Sequence, residues 1–390
     1  MAIPFTYSLR SVAVRKGASA MAVGGIALVV VVFVTLLSLA AGFRRVVEAS
    51  GSPQNVIVLR KGAEAELQSQ VMRDAARVIA ELPLVAQQSG SKLVVFESVI
   101  LLARPKLGGG ETNVTIRGTP ANARDVHAEV RLVEGRWLTP GSNEAVLGAG
   151  LARRLRDVGV GQTMTVGRTT WHIVGVFESG SSSLESELWM DLDVLQNQFH
   201  RDNVFQSVLF RAAGDADEVV RRLNEQIEND PRIRSVQAMT EKEYYQKQAK
   251  LMADLITILG GILTTIMSIG AIVGAMNTMY AAVSQRKREI GCLLSMGFAP
   301  EAIWMAFMLE SLTLAAIGAA MGCTASLAFN GLKTGMTNWA TFSETAFQFV
   351  VTPGILATAA FLSLLMGFVG GVLPAFRAAR MKVVDALRRV

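Results

Sequence analysis

Long apolar runs dominate the pattern of this 390-residue chain, and they are unevenly spaced. Gly17–Phe43, Leu255–Gln285 and Thr345–Phe376 contain no Asp, Glu, Lys or Arg, and Ala302–Leu332 is interrupted only by Glu310. A bilayer core of roughly 30 Å takes about 20 apolar residues in helical form, so each run predicts a transmembrane helix. One span is followed by the mixed-polarity segment 44–250 and then by three spans. That layout implies a transport or signalling protein built around a large domain outside the cytoplasm.

The segment 44–250 predicts a mixed α/β region. Asn55–Arg60 is a β-rich run, and Lys92–Leu102 and Glu111–Gly118 read as strands around the loop Gly108-Gly109-Gly110. Leu67, Val71, Ala75, Val78, Ile79 and Leu82 share one helical face, which predicts a helix over Ala63–Leu82 that Pro83 stops. A similar unit recurs later, with strands over Val204–Ala212 and Arg232–Ala238 around a helix over Asp215–Glu228 whose first turn is acidic. Two β-α-β units therefore bracket a Gly-rich, strand-rich insertion, 131–202. Within it Glu144–Gly148 and Trp171–Phe177 predict strands, Ala149–Arg156 a short helix, and Val158–Gln162 a turn with a short strand.

Glu241–Gln285 reads as one helix, softened by Gly260, Gly261, Gly270 and Gly274. It enters the second span without a break and would measure about 67 Å at 1.5 Å per residue. Gly270/Gly274, Gly318/Gly322 and Gly367/Gly371 repeat small residues at i, i+4, which predicts close helix packing within one subunit or at a dimer seam.

Charge sets the orientation. The net charge is +6, and its excess lies beside the spans. The segments before the first span, between the second and third, and after the fourth hold eleven basic residues against three acidic ones, whereas Arg44–Lys250 holds 26 of each. Positive residues stay cytoplasmic, which puts both termini and the 285–300 loop inside, and the large domain and the 333–352 loop outside. The basic excess is juxtamembrane, so it points to anionic lipid rather than nucleic acid. Ser38-Leu39-Ala40 resembles a cleavage site, but the apolar core before it is too long for a signal peptide, and the first run is expected to remain as an anchor.

No catalytic or metal constellation stands out. His127, His172 and His200 are far apart and lack zinc-site spacing, so each reads as a surface or structural histidine. The pairs Glu185/Glu187 and Asp191/Asp193 read as solvated acids, and G-x-S-x-G, H-E-x-x-H and G-x-x-x-x-G-K-[ST] motifs do not occur. Cys292 and Cys323 lie outside the exported segment and form no disulfide framework. Glu310, inside a span, is expected to make a structural contact to the cytoplasmic loop.

That loop reads QRKREIGCLLSMGF from Gln285 to Phe298. As a helix it puts Ile290, Leu293, Leu294 and Gly297 on one apolar stripe after a basic start, with Gly297 able to end it. Such a helix is either an interfacial anchor or a surface for a cytoplasmic partner.

Here the chain resembles the MacB/FtsX-type ABC permeases. RKREIGCLLSMGF is similar to their coupling segment, GVLPAFRAAR and VDALR to their closing pattern, and EGRWLTPGSNEAVLGAGLARRL with VGVGQTMTVGRTTWHIVGVF to their extracytoplasmic core. Leu294 stands where the family often has Arg, and Val383 where it often has Pro. The resemblance implies a membrane α-helical protein with four transmembrane helices, 18–43, 251–285, 301–332 and 353–376. Its α/β extracytoplasmic domain, 44–250, would have porter-like parts 44–130 and 203–240 and the inserted strand-rich subdomain 131–202. Residues 1–17, 286–300 and 377–390 would be cytoplasmic and 333–352 external.

The implied activity is that of a permease subunit, not an enzyme, which turns cytoplasmic ATP hydrolysis into movement of the external domain to export or extract a lipoprotein, lipid, peptide or drug. The alternative is a non-transporting FtsX-like regulator of an external cell-wall hydrolase. No cofactor is expected on this chain. With only a short segment before the first span, ATP and Mg2+ are expected on a separate ABC ATPase of the LolD/MacB type. Contact with it would fall to Arg286, Lys287, Arg288, Glu289, Ile290, Gly291, Leu293, Leu294, Met296 and Gly297, and Pro374, Arg377, Arg380, Asp385 and Leu387 form the tail motif. Further implied partners are a second permease copy or paralogue, membrane lipid, and a periplasmic adaptor with an outer-membrane factor or a lipoprotein carrier. The implied location is the bacterial inner membrane.

Overall fold

The computed structural model describes residues 16–105, 109–155, 158–167, 169–180, 182–337 and 344–382. The chain divides into two compact units: a membrane unit (1–41, 254–332, 349–390) and an outer unit (42–253 with 333–348).

The outer unit is organised on a ten-stranded sheet. In chain order its strands are β1 (Asn55–Arg60), β2 (Val94–Pro105), β3 (Glu111–Thr119), β4 (Arg131–Gly135), β5 (Glu144–Gly148), β6 (Thr163–Val166), β7 (Thr169–Glu178), β8 (Glu187–Asp191), β9 (Ser207–Arg211) and β10 (Val236–Thr240). They lie in the order β10-β1-β9-β2-β3-β8-β5-β7-β4, with β6 beside β7. The two β-α-β units interleave: β1 runs between β9 and β10, antiparallel to both, and β9 pairs with the first residues of β2. The rest of β2 forms a hairpin with β3 and carries the sheet into its second half.

Two helices cover the first half, α2 (Arg73–Glu81) and α3 (Ala216–Asn229). On α3, Asp215 caps the N-terminus by accepting from Glu218 N–H at 3.0 Å, and Val219, Leu223 and Ile227 are buried at i, i+4, i+8. They pack with Ile79, Val56, Val208 and Phe210 in one core, while Trp171, Leu147, Ile116 and Met190 form another beneath the second half.

Several elements are shorter than their sequence patterns. The helix expected over Ala63–Leu82 begins only at Arg73, because Glu66–Gln68 is a 3-10 turn and Val71–Met72 pairs with Val204–Phe205. Pairing with a strand remote in the sequence overrides the helical spacing of Leu67 and Val71. The helix expected over Ala149–Arg156 closes at Ala152, and the strand expected over Arg232–Ala238 is displaced to Val236–Thr240 by a turn. Val204–Ala212 is split at Gln206, whose carbonyl Oε1 accepts from Val99 N–H. Val158–Gln162 has no strand, and pairing with β7 begins at Thr163.

Strands β11 (Lys333–Thr337) and β12 (Glu344–Gln348) pair antiparallel, and both belong to the outer unit. Phe347 stacks edge-on to Phe43 at 5.6 Å, and Ala346 N–H donates to Ser186 Oγ at 3.3 Å.

Among the described residues, four helices are long and apolar enough to cross a membrane: α1 (Lys16–Glu48), α4 (Glu241–Gln285), α6 (Pro300–Leu327) and α7 (Pro353–Ala379). In the membrane unit α6 is central. A Cβ on Gly318 or Gly322 would press against Ile26 or Val30 of α1, and one on Gly371 would lie 2.6 Å from Ser311 of α6. These close approaches allow Ser311 Oγ to donate to Gly367 O at 2.6 Å and Ser363 Oγ to Ala315 O at 2.7 Å. Two of the three glycine pairs are thus used within the chain, whereas Gly270 and Gly274 have nothing within 4 Å among the described residues. Helix α4 runs unbroken for 45 residues through its glycines.

Candidate functional site

The loop between the second and third spans folds as the sequence pattern predicts. Helix α4 ends at Gln285, Arg286 leaves the helical conformation (φ −105°, ψ 16°), and α5 (Lys287–Ser295) begins at the next residue. Gly297, at φ +86°, closes the turn in the left-handed region that favours glycine. The apolar stripe is partly inward. Ile290 is buried and Leu294 packs beside it against Val283, Ile303, Phe307, Ala375 and Ala378. Gly291 is also buried, and Leu293 is half-buried. The other face presents Lys287, Arg288, Glu289, Cys292 and Met296, and Gly297 is exposed beyond it.

Two separate motifs meet there. Ala375 and Ala378 flank the tail residues Pro374 and Arg377, so the end of α7 and α5 share one core. Pro374 sits buried inside α7, Arg377 lies over the Tyr280 ring at 5.7 Å, and Arg380 over Phe376 at 4.2 Å. Asp385 and Leu387 fall outside the described residues. At the α4–α5 junction, Arg286 Nη1 donates to Glu310 Oε2 at 3.0 Å, both side chains being largely buried. The intramembrane acid is thus spent on a structural contact with the first residue of the loop motif, and the charge of each offsets the cost of burying the other.

The outer unit holds a second ionic cluster that sequence reading missed. Arg117 of β3 is 2% exposed, and all five of its N–H donors are used. Nε and Nη2 donate to Glu187 at 2.7 and 2.9 Å, Nη1 and Nη2 to Glu66 at 2.8 and 2.9 Å, and Nη1 to Glu97 at 2.7 Å. Glu185 and Glu187, expected to be solvated, are both buried. Glu187 belongs to this cage, and Glu185 Oε1 accepts from Ser179 N–H at 3.0 Å. Asp191 caps the helix Leu192–Phe199 by accepting from Val194 N–H.

His127 extends the cluster. It is 1% exposed, and its Nε2 is 3.0 Å from Glu97 Oε1. Burial alone would raise the Glu97 carboxyl, but Arg117 first and His127 next hold it down at about 2. Burial opposes charging the His127 ring, yet Glu97, Glu129 and Glu241 outweigh it and push the ring well above the ordinary imidazole value. Glu241 opens α4 within the outer unit, ten residues before the apolar part of the helix. Burial raises it to about 7 despite the His127 charge. His127, Glu129 and Glu241 each offer one donor atom within 4.8 Å of the others, a grouping suited to a metal ion. The i, i+2 step from His127 to Glu129 is the only local trace of this set in the sequence, and Glu241 is remote.

Comparison with known proteins assigns the family. Residues 19–226 match the MacB-like periplasmic core domain, and residues 261–383 match the FtsX-like permease C-terminal domain. The chain belongs to the MacB/FtsX-type ABC transporter permeases. This permease is 27% identical over 294 residues to the uncharacterized ABC transporter permease YknZ of Bacillus subtilis (strain 168), covering 71% of this chain and 70% of that one. It is 24% identical over 276 residues to the macrolide export ATP-binding/permease protein MacB of Pasteurella multocida (strain Pm70), covering 66% of this chain but 40% of that one. Among solved structures, the periplasmic region of MacB from Actinobacillus actinomycetemcomitans covers 50% of this chain and 92% of its own, at 13% identity and a TM-score of 0.36. The extracellular domain of the ABC-type transporter YknZ from Gram-positive bacteria covers 48% and 100%, at 17% identity and a TM-score of 0.35. The MacB/FtsX-type permease is therefore a multi-pass membrane protein with an extracellular α/β core domain.

Proposed function

We propose that this permease couples ATP hydrolysis by a cytoplasmic ABC ATPase of the LolD/MacB type, which binds the ATP and Mg2+, to movement of its outer unit. The movement would export or extract a substrate on the far side of the inner membrane. The observation that carries this reading is the α4–α5 arrangement. A 45-residue helix whose residues 241–253 belong to the outer unit is followed, one residue on, by a short helix with a charged exposed face. A force on α5 enters α4 through Arg286, and helical hydrogen bonding makes α4 a stiff strut of about 67 Å.

A second permease copy fits the same reading. The most apolar stretch of α4 is 17% buried within the chain, against 50% for α6, and it exposes Ile258, Ile262, Ile266 and Ile269 beside the unoccupied faces of Gly270 and Gly274. Export is favoured over regulation of a wall hydrolase by the size of the outer unit, and the MacB relatives carry macrolide export in their names.

Co-purification tests the proposal. Expression with candidate ABC ATPases should yield a stable complex, and Glu289→Lys, which reverses charge on the exposed face of α5, should lower recovery of the ATPase at least tenfold without affecting membrane insertion. A complex indifferent to Glu289→Lys would remove the coupling role from α5.

A further inference from the structure

Three parts of the outer unit converge on one buried point: Asn55 at the start of β1, the segment His127–Glu129, and Glu241 at the start of α4. Glu241 Oε2 accepts from Ser52 N–H and from Asn55 Nδ2, each at 2.9 Å, so its carboxylate is held in place. Glu97, bound to Arg117, accepts from His127 Nε2. An ionised carboxylate can only accept, so Nε2 carries a proton and Nδ1 is the end of the ring left for another partner.

Nδ1 is buried without a hydrogen-bond partner among the described residues, and the same holds for Glu129 Oε1 and Asn55 Oδ1. Nδ1 and Glu129 Oε1 are 3.7 Å apart, too far for a hydrogen bond. Three buried polar atoms are thus left without a hydrogen-bond partner, which is costly unless a further group completes them. The charge balance agrees. Glu66, Glu97, Glu129, Glu187 and Glu241 cluster around Arg117 and His127, with Arg211 acting on Glu129, so negative charge is in excess.

We propose that His127 Nδ1, Glu129 and Glu241 bind one divalent transition-metal cation of the Zn2+ class. The donor set, one imidazole and two carboxylates, suits such a cation. Donors no more than 4.8 Å apart surround a central point at about 2.8 Å or less, so a contraction of about 0.7 Å reaches zinc–ligand distances. Glu97 is the carboxylate that a metal-bound histidine usually has on its other nitrogen, fixing tautomer and ring orientation. A bound dication would add positive charge where negative charge is in excess. The cation would fasten the first residue of α4 to the segment 127–129. This site stands independently of the ATPase-coupled function.

The test uses the full-length, tag-free chain in detergent, stripped with a chelator and titrated with Zn2+. Elemental analysis after desalting should find one zinc per chain, and Zn2+ should raise the unfolding temperature. Co2+ in place of zinc should give a visible absorption band that Zn2+ abolishes. Glu129→Gln and Glu241→Gln, both outside the Arg117 cage, should each weaken zinc binding at least tenfold while metal-free unfolding stays cooperative. Glu129→Gln, on a partly exposed side chain, guards against loss of the fold. No retained zinc, affinity unchanged in both variants, or binding of Ca2+ in preference to Zn2+ would each overturn the assignment.

Discussion

Two buried arginines are treated differently by this fold. Arg117 in the outer unit is caged by three carboxylates that satisfy every donor it has, contributed by β2, β8 and the 3-10 turn at Glu66–Gln68. Arg286 in the membrane unit meets Glu310 across the α4–α5 junction, at a residue whose backbone has left the helix. The cage cannot change shape without stranding several charges at once, so it fixes the joint between the two halves of the sheet. The segment held by the pair at the helix junction is the one proposed to receive force.

The comparison predicts unequal losses. Arg117→Met should be the most damaging change, because three carboxylates lose a buried partner, and breaking even one buried pair costs about 3–5 kcal/mol. Trp189, whose Nε1 donates to Glu187 at 2.9 Å, reports on the site directly. Denaturant unfolding followed by tryptophan fluorescence should show the outer unit unfolded or unfolding far earlier. Arg117→Lys should fall between the two, since it keeps the charge but has three donors in place of five. A lysine variant as stable as wild type would show that charge, not the planar fork, holds the joint.

At the junction, Glu310→Gln should cost less than Arg117→Met, toward the lower end of the about 3–5 kcal/mol for breaking a buried pair, because Gln keeps an acceptor for Arg286. Exchanging the two charges, Arg286→Glu with Glu310→Arg, should recover part of that loss. The readout is the thermal unfolding of the chain in detergent. If Glu310→Gln leaves the unfolding temperature unchanged, the ion pair does not hold the junction, and the contrast with Arg117 is greater than the geometry implies.

How much was legible follows from range along the chain. The 45-residue α4 could be read in advance because a charge-free run extends an amphipathic start without proline, and α5 because its basic start, apolar stripe and closing glycine are all local. β1 and β5 were legible for the same reason. The start of α2 was not. Val71 fits a helical face equally well, and only Phe205, far along the chain, draws it into a strand. The Arg117 cage was invisible because Glu66, Glu97 and Glu187 have no common spacing, and the fold alone makes them neighbours. His127 looked like an isolated histidine, although Glu129 is two residues away, because Glu241 lies beyond any motif window. Local patterning thus made α5 legible, whereas the buried cluster of the outer unit needed the fold.

A third arginine gives the lower limit of the comparison. Arg136 follows β4 and pairs in two places with Glu144 at the start of β5, with Nη1 donating to Oε2 at 2.7 Å, but its side chain is 56% exposed. Arg136 is the main reason that the Glu144 carboxyl is lowered to about 2. A carboxyl depressed by folding stabilises the protein above its ordinary value and loses that contribution as the pH falls toward the folded value. The pair should therefore matter near neutral pH and fade between about 4.5 and about 2. Water and salt screen so exposed a contact, which keeps its contribution small. Arg136→Gln should leave unfolding at neutral pH nearly unchanged, and its small deficit should vanish both in acid and in high salt. A deficit that persists in high salt would mean that Arg136 acts through its hydrogen bonds to Trp137 O at 3.1 Å and Thr139 Oγ1 at 3.2 Å rather than through its charge pairing with Glu144.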